Sequence, residues 1–421
     1  MELEVQGSYL CQFDTTQGNS LLQYKSHLQS TSSFVDLEYL SLPSGLHDIS
    51  EGSDIVKFQI LDQHKNKYLS IARLFNNSKS IINDLKDLSS SIDRSKVKIF
   101  SLGIIFRLDN NTTSNLVAYQ ESLVKQIDSI YERFNRGDLV VDTLLDELSK
   151  NIGSTDKSLV WKEPFKVLKD IDSFIFPLWK QLILGGNILI VNKDSASVSF
   201  DELNRLVEYL KTISNSSNYN LVYNCSLSNF ESILLNSKDQ YIAYTTDLIL
   251  KDTVDNYQAI LELDKNGKVS LLDIKNKPLH ATFIESLKIV TKYKNDYNRF
   301  DNKGKSQKLI DLFYLIFTFN TVKPAYYKFV DMAMDIPIQA PLEPTRFKKW
   351  LNSLDSGIES LIKSSSSSKT LTIKPSDVLM LGFDGFNQND LLFLQNYITN
   401  VKYSNQVERV IFKNFDMSLL I

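Results

Sequence analysis

The side chains best suited to chemistry are few and scattered. The four histidines, His27, His47, His64 and His280, stand apart, and the two cysteines, Cys11 and Cys225, have no paired spacing. A metal site needs ligands that recur at short intervals, as in His-Glu-x-x-His or paired Cys motifs, so no metal centre is expected. A phosphate-cradling loop needs glycines that open a helix, followed by Lys-Ser/Thr. Gly185-Gly186 instead precedes an apolar run and lacks that lysine, which argues against a P-loop. Pro43-Ser44-Gly45 lacks the flanking glycine of a nucleophile elbow and reads as a turn. The carboxylate pairs Asp146-Glu147 and Asp201-Glu202 fall on polar helix faces with nothing to separate their acidities. No cofactor is expected, and the residue pattern favours a binding protein over one that makes and breaks covalent bonds.

Bulk properties agree. The 421 residues are 43% hydrophobic and 23% charged, with a formal net charge of -3. That is enough apolar matter for two or three domains, and it gives no sequence-wide attraction to nucleic acid or anionic lipid. The 24 Phe and 19 Tyr lack the basic interleaving that would hold a phosphate backbone, so they read as core, as do Trp179 and Trp350 on their helical stripes. Two unpaired cysteines suit a reducing compartment. Met1 to Leu10 has two early glutamates and no basic-then-apolar run, which predicts no secretory signal and a cytoplasmic location. Leu309 to Phe319, the most apolar stretch, contains Asp311 and is about half the ~20 residues a membrane helix requires.

These residues must be positioned by elements whose periods change along the chain. Val5 to Phe13, Leu21 to Tyr24, Asp54 to Leu61, Lys67 to Leu74 and Val97 to Phe106 alternate with turn signals and predict a strand meander. Leu116, Gln120, Leu123, Ile127, Ile130 and Phe134 then set a helical stripe to lie across it. Asn151 to Asp156 is polar and reads as a linker. Beyond it, a helix within Phe165 to Leu184 leads to Ile188-Leu189-Ile190-Val191, a β-branched run that suits a strand buried on both faces. Helices over Phe200 to Ile213 and Phe230 to Leu235 alternate with strands at Leu221 to Tyr223 and Tyr241 to Thr245, which predicts a mainly parallel sheet. Tyr257 to Leu263 and Val269 to Leu272, joined through Asp264-Lys265-Asn266-Gly267, add an edge hairpin. From His280 onward the period is helical: Phe283, Leu287 and Val290, then Leu309, Phe313 and Ile316, then Phe347, Trp350, Leu354 and Ile358. Ser364 to Ser368 interrupts that region as a polar low-complexity loop. The expected division is 1–150, 158–278 and 279–421.

Several segments, taken in order, resemble a known family. They are Tyr39 to His47 followed by Asp54 to Phe58, Phe176 to Leu184 leading into Ile188 to Val191, Tyr241 to Asp247, the Asn266-Gly267 hairpin, and Leu381-Gly382-Phe383-Asp384. Their order is similar to that of DENN-domain proteins, and within these to a fungal-type member of the LCHN-like branch. The resemblance implies a tripartite α/β plan: an N-terminal longin-like module, a central α/β module with a mainly parallel sheet, and a C-terminal helical module. It also implies a guanine nucleotide exchange factor for a Rab-type small GTPase, gripped mainly between the first two modules, with the linker near Asn151 to Lys157 setting their angle. The alternative is a GTPase-binding or scaffold protein without exchange activity, on an endomembrane or lipid-droplet surface and held there through partners. Thr245, Thr246 and Asp247 match the family's Thr-Thr-Asp/Glu element and are the candidate GTPase contacts. Gly185-Gly186-Asn187 departs from the basic residues many relatives carry there, removing charges that could meet an acidic partner or lipid head group.

Overall fold

A computed structural model of the chain describes residues 4–26, 34, 36–43, 53–62, 64, 66–76, 98–108, 112–150, 167, 171, 174–193, 198–216, 218–227, 230, 240–253, 256–264, 268–282, 285, 344–365, 369–385 and 387–413. The expected linker at Asn151 to Lys157, the Pro43-Ser44-Gly45 turn beyond Pro43, the Asn266-Gly267 hairpin tip, the apolar stretch Leu309 to Phe319 and most of the serine loop lie outside these residues. The fold is α/β, with an N-terminal antiparallel sheet, a central mixed sheet and helices toward the C-terminus, as the tripartite plan requires. The chain divides into two compact units, one of Met1–Lys162, Ile188–Glu208 and Asn218–Ser270, the other of Glu163–Asn187, Tyr209–Ser217 and Leu271–Ile421.

In the first unit, β1 (Val5–Asp14), β2 (Gly18–Ser26), β3 (Ser53–Leu61), β4 (Lys67–Asn76) and β5 (Lys98–Arg107) form one sheet in the order β2-β1-β5-β4-β3. All of its pairings are antiparallel. Helix α1 (Leu37–Ser41) packs against β1, β2 and β3, while α2 (Thr112–Asn135) and α3 (Val141–Lys150) pack against β4, β5, β1 and β2. Alternation along β1 shows that the cover lies on both faces: Ser8 donates to the carbonyl of Leu145 in α3, whereas Cys11, of opposite parity, lies beside Ser41 of α1. The predicted stripe on α2 is the buried one at Leu123, Ile127 and Ile130. Arg73 of β4 pins the same helix through Asp128 at 2.8 Å.

One glycine in this sheet is dictated by a neighbour. Gly103 of β5 faces Tyr9 of β1, whose ring lies over it and whose hydroxyl is 2.8 Å from Ser70 Oγ. A Cβ at residue 103 would meet the Tyr9 ring at 2.3 Å. Gly103→Ala is therefore expected to cost about 1–3 kcal/mol, since the ring would have to leave a buried hydrogen bond; urea unfolding of the variant measures it.

The central sheet comprises β6 (Ile188–Asn192), β7 (Asn220–Val222), β8 (Tyr241–Thr245), β9 (Ala259–Leu263) and β10 (Val269–Asp273) in the order β10-β9-β6-β8-β7. The pairs β6/β8, β6/β9 and β7/β8 are parallel. Strands β6, β8 and β9 are buried at every position, as continuous apolar runs demand of strands covered on both faces.

The two sheets of this unit are joined along edge strand β3 by polar bonds that few short segments could supply. Helix α5 (Phe200–Ser214), which follows α4 (Ile175–Ile183) in the chain, presents residues 200, 204 and 208 at helical spacing. Asp54 accepts from the backbone amides of Phe200 and Asp201 at 2.7 and 3.1 Å. Asn204 donates to the carbonyl of Ile55 at 3.0 Å and accepts from Tyr244 at 2.9 Å. Glu208 pairs with buried Lys57, and Gln59 donates to the carbonyl of Leu221 at 2.6 Å. Of the outer backbone groups of β3, the Ile55 carbonyl is thus taken by Asn204.

In the second unit, α4 ends at Gly185, whose φ of 80° lets the Gly185 and Gly186 amides reach back to Leu182 and Gln181. The charge-free Gly-Gly is therefore the helix stop. After α6 (Leu250–Thr253) of the first unit come α7 (Pro344–Ser364), α8 (Pro375–Met380) and α9 (Gln388–Asn396), the last continuing into a π-helical turn, Tyr397–Lys402. Phe176 and Trp179 of α4 stack about Phe347 and Trp350 of α7 with centroids 4.9–6.2 Å apart. The region read as helical throughout also contains a two-stranded parallel sheet, β11 (Thr370–Ile373) with β12 (Arg409–Phe412). A four-residue strand is too short for its period to stand out against flanking helices.

Lys180 is buried within this unit. Its ammonium is 2.7 Å from Glu285 Oε1 and 2.6 Å from Asp390 Oδ1, with both acids fully buried. Burial disfavours the lysine's charge, but the two carboxylates outweigh it and raise its pKa.

Candidate partner-binding surface

Strand β8 delivers Thr245 to the end of the central sheet, where the turn that follows is built by side chains. Thr245 is fully buried. Its hydroxyl donates to the carbonyl of Cys225 at 2.6 Å and accepts from the amide of Asp247 at 2.9 Å. Asp247 in turn accepts from the amide of Leu227 at 3.0 Å, and its carbonyl receives the amide of Leu250 to start α6. Thr246 and Asp247 are half-buried. Of the three candidate contacts, then, Thr245 and Asp247 act as the turn's internal struts.

What the struts present is apolar. Leu248 and Ile249 are 51% and 63% exposed, and Leu227, tied to Asp247 through its amide, is 46% exposed. Sequence reasoning passed over these three, because so short an apolar stretch beside a polar turn shows no period. The available signal was the Leu248-Ile249-Leu250 run, too long for a turn that buries only Leu250. Helix α6 is held from below as well: Lys251 lies 2.6 Å and Lys193 3.1 Å from Glu262, the buried penultimate residue of β9. Burial opposes the charge on Glu262, yet the bonds from Lys251 and Lys193 prevail and hold its carboxyl below the usual range. The apolar group therefore stands on a braced platform at the carboxyl ends of β6, β8 and β9, the side on which parallel sheets place their binding sites. Thr245→Val should remove both hydroxyl bonds and cost about 1–3 kcal/mol, with the loss visible as faster hydrogen exchange in peptides spanning 245–251.

The arrangement offers contact area without reactivity. Burial pushes the Cys11 thiol up to about 12 and raises that of Cys225 further, with Asp247 adding to the second effect, so neither is a thiolate nucleophile. The carboxylate pairs have structural partners: Asp146 bonds Lys25, Glu147 bonds Arg133, and Asp201 accepts from Gln120. Among the described residues no group of His, Cys, Asp and Glu is placed to hold a metal ion, and no helix is long and apolar enough to cross a membrane.

Comparison with known proteins agrees with this picture. Residues 8–142 match the family model for DENN domain-containing protein 11. The match spans the N-terminal sheet from β1 through α2 and supports a DENN-domain protein. The chain is also 28% identical over 219 residues, 44% of its length, to the uncharacterized protein ANR2 of Saccharomyces cerevisiae, and the aligned stretch covers 41% of that relative.

Proposed function

We propose that this chain is a guanine nucleotide exchange factor for a Rab-type small GTPase, of the LCHN-like branch, acting in membrane trafficking. The observation that carries the proposal is the family match over residues 8–142, since DENN-domain proteins are generally Rab exchange factors. The strand order β2-β1-β5-β4-β3, with, among the described residues, one helix between β2 and β3 and two directly after β5, supports a longin-like reading of the first module. In this account 1–150 is the longin-like module, 158–278 the central module and 279–421 the helical module. The first two supply the grip, and Leu227, Leu248 and Ile249, aimed by Thr245, Thr246 and Asp247, form an apolar part of it. Exposed large aliphatics on a rigid turn suit the desolvated centre of a protein interface.

Exchange by grip needs no nucleophile. A protein that binds the nucleotide-free GTPase more tightly than the GDP form weakens GDP binding by the same factor. Location would be cytoplasmic, with peripheral attachment to an endomembrane or lipid droplet through partners. A second reading, GTPase binding or scaffolding without exchange, is favoured by the uncharged Gly185-Gly186 helix stop, which offers an acidic partner nothing. The two separate in a binding assay with immobilised GTPase. Exchange predicts a marked preference for the nucleotide-free form; equal capture of the free and GDP-loaded forms supports the scaffold.

A further inference from the structure

The bonds between the N-terminal and central sheets of the first unit are spread out and come from more than one side. On β3 they run from Asp54 to Gln59, about 17 Å of strand, and on α5 from Phe200 to Glu208, about 12 Å of helix. Strand β3 pairs with β4 without a register break, so its even- and odd-numbered side chains leave opposite faces. Asp54 takes the amides of Phe200 and Asp201 from one face, whereas Lys57 meets Glu208 and Gln59 meets the Leu221 carbonyl from the other. Between them the Ile55 carbonyl receives Asn204. A further bond lies off the strand: Gln120 of α2 donates to Asp201 at 2.8 Å.

Most of the groups involved have no access to water. Lys57 and Asn204 are 0% exposed, Asp54 3% and Gln59 7%. A turn of one sheet against the other would strand at least one of them in the interior without its partner, which is the costly way to break a hydrogen bond. With contacts on both faces of β3 and on α2, no line remains about which the sheets could swing and keep every bond. Lys57 is held twice over. Its ammonium pairs with Glu208 and lies 5.3 Å from the ring centroid of Tyr223, whose hydroxyl donates to the same carboxylate at 3.0 Å. Tyr223 follows β7 directly, so this one lysine ties β3 to α5 and to the edge of the central sheet.

We infer that the N-terminal and central sheets move as one body, with Lys57 as the pin, and that the grip on the GTPase is preformed and not closed by a jaw motion. The part that concerns the GTPase rests on the exchange reading above. The angle assigned from sequence to the linker at Asn151 to Lys157 is set instead by this joint. Hinged closure needs a few residues free to absorb the rotation, and β3 and α5 are both committed to the opposing sheet. A surface fixed in this way loses less conformational freedom when a partner binds.

The distance between two spin labels on the full chain tests this. Ser129→Cys on an exposed position of α2 and Gln258→Cys on an exposed position just before β9 carry the labels, while the native Cys11 and Cys225 are buried and stay in place. Gln258 lies at the end of the central sheet opposite the Leu248 and Ile249 turn, because β9 and β8 both run parallel to β6. The expected result is a single narrow distance distribution in the free chain, with the same mean after nucleotide-free Rab-type GTPase is added, its binding being read separately. Lys57→Met should broaden the distribution by loosening the joint. A broad or two-peaked distribution in the free chain overturns the inference, as does a shifted mean in the GTPase complex or an unchanged width in K57M. Should no GTPase bind, the exchange reading fails, while the width in the free chain still decides whether the sheets move together, and it does so even where K57M does not fold.

Discussion

Replacing Lys180 with methionine is expected to destabilise the second compact unit by about 3–5 kcal/mol, the largest single-residue effect the structure predicts. Among the described residues, the lysine is the cation within 2.7 Å of both Glu285 and Asp390, and those carboxylates are fully buried. Methionine matches the length of the alkyl chain but leaves two buried acids without the counter-charge that, among the described residues, Lys180 supplies. Each is also committed to the backbone: Glu285 accepts from the Thr282 amide and Asp390 from the Asp384 amide, both at 2.8 Å, so neither can swing out to water cheaply. The pH dependence has a definite sign. Burial already raises Asp390 against the pull of Lys180, so the folded state favours its protonation. The deficit of K180M should be greatest at neutral pH and shrink as pH falls toward the ordinary carboxylate range. Urea unfolding at pH 7.5 and pH 5 measures both quantities. A deficit below about 1 kcal/mol at pH 7.5 would mean that the acids find other partners.

The second large effect concerns the proposed function. Leu248→Asp with Ile249→Asp should weaken binding of the GTPase by at least about 2 kcal/mol, roughly thirtyfold, because desolvated aliphatics at an interface centre tolerate charge poorly. Folding should be little affected, since these side chains are 51% and 63% exposed while the anchor of α6, Leu250, is untouched. An unchanged melting temperature together with unchanged binding would remove this turn from the interface and leave the grip to other surfaces of the first two modules.

Much of the fold was legible in the sequence because its elements carry their own periods. Strands β1, β3, β4 and β5 announce themselves by short apolar segments between turns, and β6 and β8 by continuous apolar runs. The α2 stripe predicts its buried face. What could not be read are the features made by partners distant in sequence. Asp54 and Phe200 are 146 residues apart, Lys57 and Glu208 are 151 apart, and Lys180 and Asp390 are 210 apart. No local pattern distinguishes an aspartate that caps a helix from one that begins an ordinary strand. The candidate site shows the same limit at shorter range. Thr245, Thr246 and Asp247 stood out as polar residues at a strand end. Only the hydroxyl bonds of Thr245 to Cys225 and Asp247 reveal that two of them hold the turn and that its exposed tip is Leu248 and Ile249.

The central claim is exchange by differential grip, and nucleotide release tests it most directly. The purified chain would be mixed with a panel of Rab-type GTPases preloaded with fluorescent GDP, and release followed with excess unlabelled nucleotide. The account predicts that at least one member loses GDP faster in proportion to the concentration of this protein, and that the Leu248→Asp, Ile249→Asp variant reduces the acceleration. Release at the intrinsic rate from every member of the panel would contradict it.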